Sequence, residues 1–159
     1  MKWINHQILT GVVVYTATDS LLFAACSMAG AVLPDKLEGN PRQLKNYWQW
    51  RSRHRGWSHW PLPYLVLLLG LVYVNRYELG TYDMWDMSIL AIYILLGAVL
   101  HILEDAVCGK VPLFWLWQKR GIKLFKVGSF REYFFTLGAV LLLYLGKMIY
   151  WHLQLAGKI

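Results

Sequence analysis

The sequence predicts an all-α integral membrane protein: an N-terminal helical hairpin, an interfacial segment and three transmembrane helices. Composition is the first reason. The 159 residues are 57% hydrophobic and only 16% charged, where soluble domains carry about 25% charged residues. Mean hydropathy is +0.37. The second reason is pattern: apolar runs over 60–75, 87–104 and 133–151 alternate with polar connectors. The third is the nine tryptophans and ten tyrosines, which suit a chain anchored at two lipid–water boundaries. The length leaves no room for a separate soluble unit, so residues 1–159 read as one membrane domain. Met1-Lys2-Trp3 is too short for a cleavable leader. Cys26 and Cys108 lie in mainly apolar contexts and are expected as free thiols.

The hairpin is expected over residues 1–34. Its apolar stretch, Ile8 to Leu33, is interrupted by Thr16-Ala17-Thr18-Asp19-Ser20. One reading is a single long tilted helix with Asp19 facing a bundle interior. The other is two short helices, Gln7–Thr16 and Ser20–Leu33, with Thr18 or Asp19 capping the second. A carboxylate at mid-bilayer costs at least about 2.5–3.5 kcal/mol. Neither arm reaches the roughly 20 residues of a spanning helix.

Residues 35–59 form a basic connector in which Trp48, Trp50 and Trp57 interleave with Lys36, Arg42, Lys45, Arg51, Arg53 and Arg55. Tethered between apolar runs, it reads as a segment lying on anionic headgroups rather than on nucleic acid. The span 60–75 opens with Pro61 and Pro63, tolerated in a first helical turn. An acidic loop over 76–86 follows, then the span 87–104. A second basic connector carries Lys110, Lys119, Arg120, Lys123, Lys126 and Arg131. The last span, 133–151, contains Lys147, placed to snorkel toward the surface. Gly128-Ser129-Phe130-Arg131-Glu132 also reads as a capping box, with Ser129 as N-cap.

The two connectors hold twelve of the sixteen lysines and arginines. By the positive-inside rule both are cytoplasmic and the 76–86 loop is outside. That places Asp35, His54, His59, His101, Asp105 and Glu132 on one membrane face. His6 joins them only if the hairpin returns the chain; His152 falls on the other side.

These residues carry a definite chemistry. His101 and Asp105 are four apart, so a helix presents them on one face. Imidazoles and carboxylates are the ligand set of zinc, manganese or iron, and Arg53 with Arg55 suits a phosphate. Plainer readings exist for each member: His101 and Asp105 as a hydrogen bond at a helix end, the arginines as topology charges. Convergence on one face favours the site.

His6, Leu33-Pro34-Asp35, His54-Arg55-Gly56-Trp57-Ser58-His59 and His101-Ile102-Leu103-Glu104-Asp105 resemble the bacterial inner-membrane metal-dependent hydrolase family, whose members include LexA-regulated membrane-bound proteins. Val111-Pro112-Leu113 and Gly128-Ser129-Phe130-Arg131-Glu132 extend the resemblance over nearly the whole chain. It departs at Leu37, where the family's second acid would stand beside Glu38, and at Ser58 and Cys108, which replace threonines. The missing acid argues for one metal ion rather than two.

With the resemblance, the expectation is a multi-pass bacterial inner (cytoplasmic) membrane protein with a site facing the cytoplasm. It would hydrolyse an ester or phosphoester of a membrane lipid. One divalent ion, zinc first and manganese or iron as alternatives, would be held by His59, His101 and Asp105, joined by Asp35 and His6. His54, Arg55 and Glu132 are the candidate catalytic groups; Arg53 and Arg55 would hold substrate phosphate. Membrane lipids are the expected partners, nucleic acid is not, and a homo-oligomer stays open. The competing class is a non-catalytic, metal-stabilised scaffold that binds a partner protein. A transporter component is disfavoured, since the ionisable groups gather at one face rather than at mid-bilayer.

Overall fold

The structure, a computed structural model, describes residues 1–39, 54–78 and 86–157. Helix α1 covers Trp3–Thr18. The hydroxyls of Thr16 and Thr18 donate to the carbonyls of Val12 and Val14, each at 2.8 Å, so they need no other partner in an apolar helix. The helix stops at Asp19, in the left-handed region with φ 56°, a conformation that Asp tolerates better than most residues. Ser20 then caps α2, Leu21–Gly30, accepting from the Phe23 N–H at 3.3 Å. The interruption is therefore a turn. The cap that the sequence assigned to Thr18 or Asp19 belongs to Ser20, because Asp19 closes α1 and pairs with Lys147. Lys147 thus faces the hairpin and lies 4.8 Å from the centre of the Tyr15 ring.

The short α3, Leu33–Glu38, carries Pro34 in its first turn. A 3-10 turn, Trp57–His59, leads into α4, Pro61–Glu78. Asp86 caps α5, Met87–Cys108, accepting from the Ser88 N–H at 2.8 Å. Helices α4 and α5 run antiparallel. Tyr64 packs with Ala98, Val99 and Ile102 at one end, and Ser88 donates to Asn75 at the other, at 2.8 Å.

Helices α2 and α5 meet backbone to backbone. A Cβ on Gly97 would stand 2.0 Å from the Ser27 carbonyl oxygen, and one on Gly30 1.9 Å from that of Ile94. Small residues at a crossing permit the close packing that holds helices together where lipid supplies no hydrophobic drive.

Past α5 the chain forms a two-strand ladder, β1 (Val111–Pro112) against β2 (Lys119–Arg120), antiparallel with Val111 opposite Arg120. The sequence does not announce it, since two-residue strands have no alternation to read. Ile122 and Leu124 then donate their N–H groups to the carbonyls of Ala106 and Val107, both at 2.8 Å. These bonds satisfy carbonyls that a helix end would otherwise leave unpaired. Helix α6 covers Phe130–Leu155. The expected capping box does not form: the Ser129 hydroxyl makes no bond, and Glu132 accepts instead from the N–H of Gly128, one residue before the N-cap, at 2.6 Å.

Among the described residues two helices, α5 with 22 residues and α6 with 26, are long and apolar enough to cross a membrane. For α4 the sequence predicts a third span, but its apolar part, Pro61–Arg76, falls short of that length. Helix α6 leaves Leu141, Leu142, Leu145, Met148 and Ile149 exposed, as a lipid-facing surface would be.

Pairwise contacts set the directions. Helix α1 runs parallel to α6, with Lys2 and Asn5 at Glu132 and Tyr15 at Lys147. It runs against α5, with His6 at Glu104. The starts of α1, α4 and α6, the end of α5 and helix α3 therefore gather at one end of the bundle.

Candidate metal centre

Four elements bring polar groups to that end, and one residue between elements joins them. Helix α1 supplies His6, α3 supplies Asp35 and Glu38, and the 3-10 turn supplies His59. Helix α5 supplies His101, Glu104 and Asp105, while Arg55 precedes the 3-10 turn in a left-handed conformation, φ 56°. The imidazoles of His6, His59 and His101 are wholly buried.

The three Nε2 atoms converge on two carboxylates. His6 Nε2 lies 3.3 Å from Asp105 Oδ1. His59 Nε2 lies 3.3 Å from Asp35 Oδ1 and 3.5 Å from Asp105 Oδ2. His101 Nε2 lies 3.7 Å from Asp35 Oδ1 and 3.8 Å from Asp105 Oδ2. None of the three nitrogens makes a hydrogen bond, and His101 Nδ1 makes none either. A buried polar atom left unpaired costs about 1–3 kcal/mol, so several in one place call for a common partner. A cation bonded at about 2.0–2.2 Å would separate neighbouring ligand atoms by roughly 3.0–3.6 Å. The observed spacings sit close to that range. The donor set therefore fits a divalent ion, and two triads, His6–His101–Asp105 and Asp35–His59–His101, each bring their ligand atoms within 4.8 Å of one another.

An outer layer orients the rings. His6 Nδ1 lies 2.6 Å from Glu104 Oε2, and the other Glu104 oxygen accepts from Thr10 at 3.0 Å. His59 Nδ1 lies 3.1 Å from the Ser58 hydroxyl and 3.6 Å from Glu38 Oε2. Carboxylates behind metal-binding imidazoles fix the ring and its tautomer. Neither Glu38 nor Glu104 was a candidate on sequence grounds. The available signal was position: Glu104 stands three residues after His101, and Glu38 stands beside the family's missing acid.

Burial alone would raise the Asp35 carboxyl, but the neighbouring His59 and His101 imidazoles outweigh it and hold it at about 2. For His59 burial acts downward, yet Asp105 and Asp35 leave it above the ordinary imidazole value. Asp35 is thus ionised, and a proton or a cation on His59 is stabilised.

The remaining candidates stand elsewhere. Arg55 is turned inward: its Nη2 donates to Asp105 Oδ1 at 2.9 Å and its Nε approaches Oδ2 at 2.8 Å, so its guanidinium faces a candidate ligand. Asp105 also receives the Met1 amino group at 2.6 Å. His54 is at the rim, 2.9 Å from Glu38 Oε1, with its ring centre 6.2 Å from that of His59. Glu132 is not in the cluster: it accepts from Lys2 and Gly128, both at 2.6 Å, and from Asn5. Those bonds tie α1 to the start of α6 and use both of its oxygens. Arg53 lies outside the described residues.

A membrane-boundary cluster of this composition, with two spanning-length helices beside it, accords with the match found for the whole chain. A family model described as YdjM inner membrane protein covers residues 1–157. The chain belongs to the YdjM inner membrane protein family. Its predicted place in a bacterial inner membrane agrees with that family. No curated protein and no solved structure matches it.

Proposed function

We propose that this YdjM-family chain is a multi-pass inner-membrane hydrolase that acts, with one divalent ion, on an ester or phosphoester of a membrane lipid at the cytoplasmic leaflet. The observation that carries the reading is the set of three buried imidazole Nε2 atoms, none with a hydrogen bond and each facing Asp105 or Asp35. His6, His59, His101, Asp35 and Asp105 would hold the ion: zinc first, with manganese or iron as alternatives. Such an ion supplies Lewis acidity toward a carbonyl or phosphoryl oxygen and makes water acidic near neutral pH.

The chain's own residues do the rest. Glu104 and Glu38 hold two rings in place. Asp35, with the less buried carboxylate of the two, marks the open side of the cluster. His54, at the rim with Glu38 on its Nδ1, is placed to pass a proton to the leaving oxygen as water adds and the ester bond breaks. Lys119, whose ammonium donates to the His54 carbonyl at 2.9 Å, brings positive charge to the same rim. The lipid substrate class follows from depth, because a site at the ends of membrane helices meets headgroups first. Cytoplasmic orientation follows from the basic connectors. In this reading α4 crosses the membrane as a third span where the bilayer is locally thinned.

One observation favours the scaffold alternative: the three imidazoles expose no surface, as in a structural ion site. Metal content and lipid hydrolysis, measured together on the wild type and His101→Ala, separate the two. The hydrolase requires bound metal and turnover in the wild type and loss of both in the variant. Bound metal without turnover across a broad lipid panel leaves the scaffold. Full metal occupancy in His101→Ala ends both readings.

A further inference from the structure

The segment between α5 and α6 is a small folded unit beside the metal centre. Its base is the β1–β2 ladder, and Gly121 abuts the end of α5 so closely that a Cβ would fall 1.6 Å from the Gly109 carbonyl oxygen. Trp60 Nε1 donates to the Phe114 carbonyl at 3.2 Å, and Gln118 N–H to the Trp115 carbonyl at 3.0 Å. With both flanks held, the tip has a defined place.

Its large side chains nevertheless find little protein. Phe114 is 70% exposed and Trp117 76%, while Trp115 stacks on Trp117 with ring centres 5.4 Å apart. Apolar rings held in water forgo about 25 cal/mol for each Å² left uncovered. Lys119, Arg120, Lys123 and Lys126 follow the tip immediately. Connectivity limits what can cover it, because the chain leaves one spanning-length helix at Cys108 and enters the next at Phe130. The unit must lie at the membrane boundary. Indole rings favour that boundary, and lysines and arginines there meet lipid phosphates.

We propose that the tip carrying Phe114, Trp115 and Trp117 is an interfacial anchor that inserts into the lipid headgroup layer, with the following basic residues at phosphate depth. The inserted tip fixes the level at which the metal centre meets the leaflet. It rests on membership of a membrane family and on this geometry, independently of any hydrolytic reaction.

The test uses the full chain in vesicles of phosphatidylethanolamine and phosphatidylglycerol, with a Cys26→Ser background in which Cys108 is buried. A nitroxide is placed at Trp117→Cys and, separately, at Phe114→Cys, with Lys126→Cys as the comparison. Collisions with dissolved oxygen, which concentrates in lipid, are compared with those of a water-soluble nickel chelate. The proposal expects oxygen to dominate at 114 and 117 and nickel access there to be several-fold below that at 126. Nickel access equal to that at 126 would mean a solvated loop. Exclusion of both reagents would mean that protein covers the tip. Either result overturns the anchor, and neither bears on metal content or turnover.

Discussion

His6 Nδ1 lies 2.6 Å from Glu104 Oε2, and this contact aims the other ring nitrogen of His6 at Asp105. A helix-1 histidine is thereby locked by a helix-5 carboxylate that need not itself touch the ion. Glu104→Gln keeps the shape but removes the charge, and second-layer losses of this kind cost about 10–100-fold in metal affinity. Chelator competition on the purified protein measures it. His101→Ala, which deletes a ligand, should cost more than Glu104→Gln. Equal affinity in wild type and Glu104→Gln would remove Glu104 from the centre.

The crossing of α2 and α5 should tolerate no side chain at Gly97. Its Cβ would meet the Ser27 carbonyl oxygen at 2.0 Å, and backbone, unlike a flexible side chain, cannot step aside. Gly97→Ala should lower the thermal unfolding midpoint in detergent, by an overpacking cost of about 1–3 kcal/mol or more. Gly138→Ala, in open space on α6, is the control and should leave the midpoint unchanged or slightly raised.

Gly109 meets a side chain instead: a Cβ there would come 1.7 Å from Arg55 Nη1. Gly109→Ala should push the guanidinium off Asp105 and leave that carboxylate with less compensating charge. Stability of the metal-free protein is expected to fall, and added metal should recover part of the loss. A midpoint unaffected by the substitution would show that Arg55 has another place to go.

Metal binding should weaken with acid, with a sign that the cluster determines. Asp105 and Asp35 hold His59 above the ordinary imidazole pKa against the effect of burial. Binding must displace that proton, so affinity falls as pH drops through the raised value and levels off above it. Asp35, held at about 2, stays ionised throughout and adds nothing to the slope. One displaced proton gives about tenfold per pH unit. Titration calorimetry in two buffers of different ionisation enthalpy counts the protons; binding without proton release contradicts the arrangement.

Topology is checked by cysteine accessibility. Glu78→Cys and Lys126→Cys, each in the Cys26→Ser background, should label from opposite sides of the membrane. Labelling of both from one side would mean that α4 and α5 do not place their connecting loop across the bilayer from the basic connector.

By itself the sequence determined the membrane class, the apolar helices and the imidazole–carboxylate set, because composition and the i, i+4 spacing of His101 and Asp105 are local properties. It also marked the interruption at Thr16–Ser20, though not which residue caps: Asp19 is drawn to Lys147, more than a hundred residues away. Tertiary structure decided the membership of the centre. His6 joins because the turn at Asp19 lets α2 and α3 fold back along α1, bringing Asp35 to the same end. Glu132 leaves because Lys2, Asn5 and Gly128 claim its oxygens first. Arg55 turns from the rim to Asp105, and Glu38 and Glu104 become the outer carboxylates. Which acid touches an ion, which backs a histidine and which caps a helix depends on who reaches it across the bundle, and spacing along one chain does not encode that.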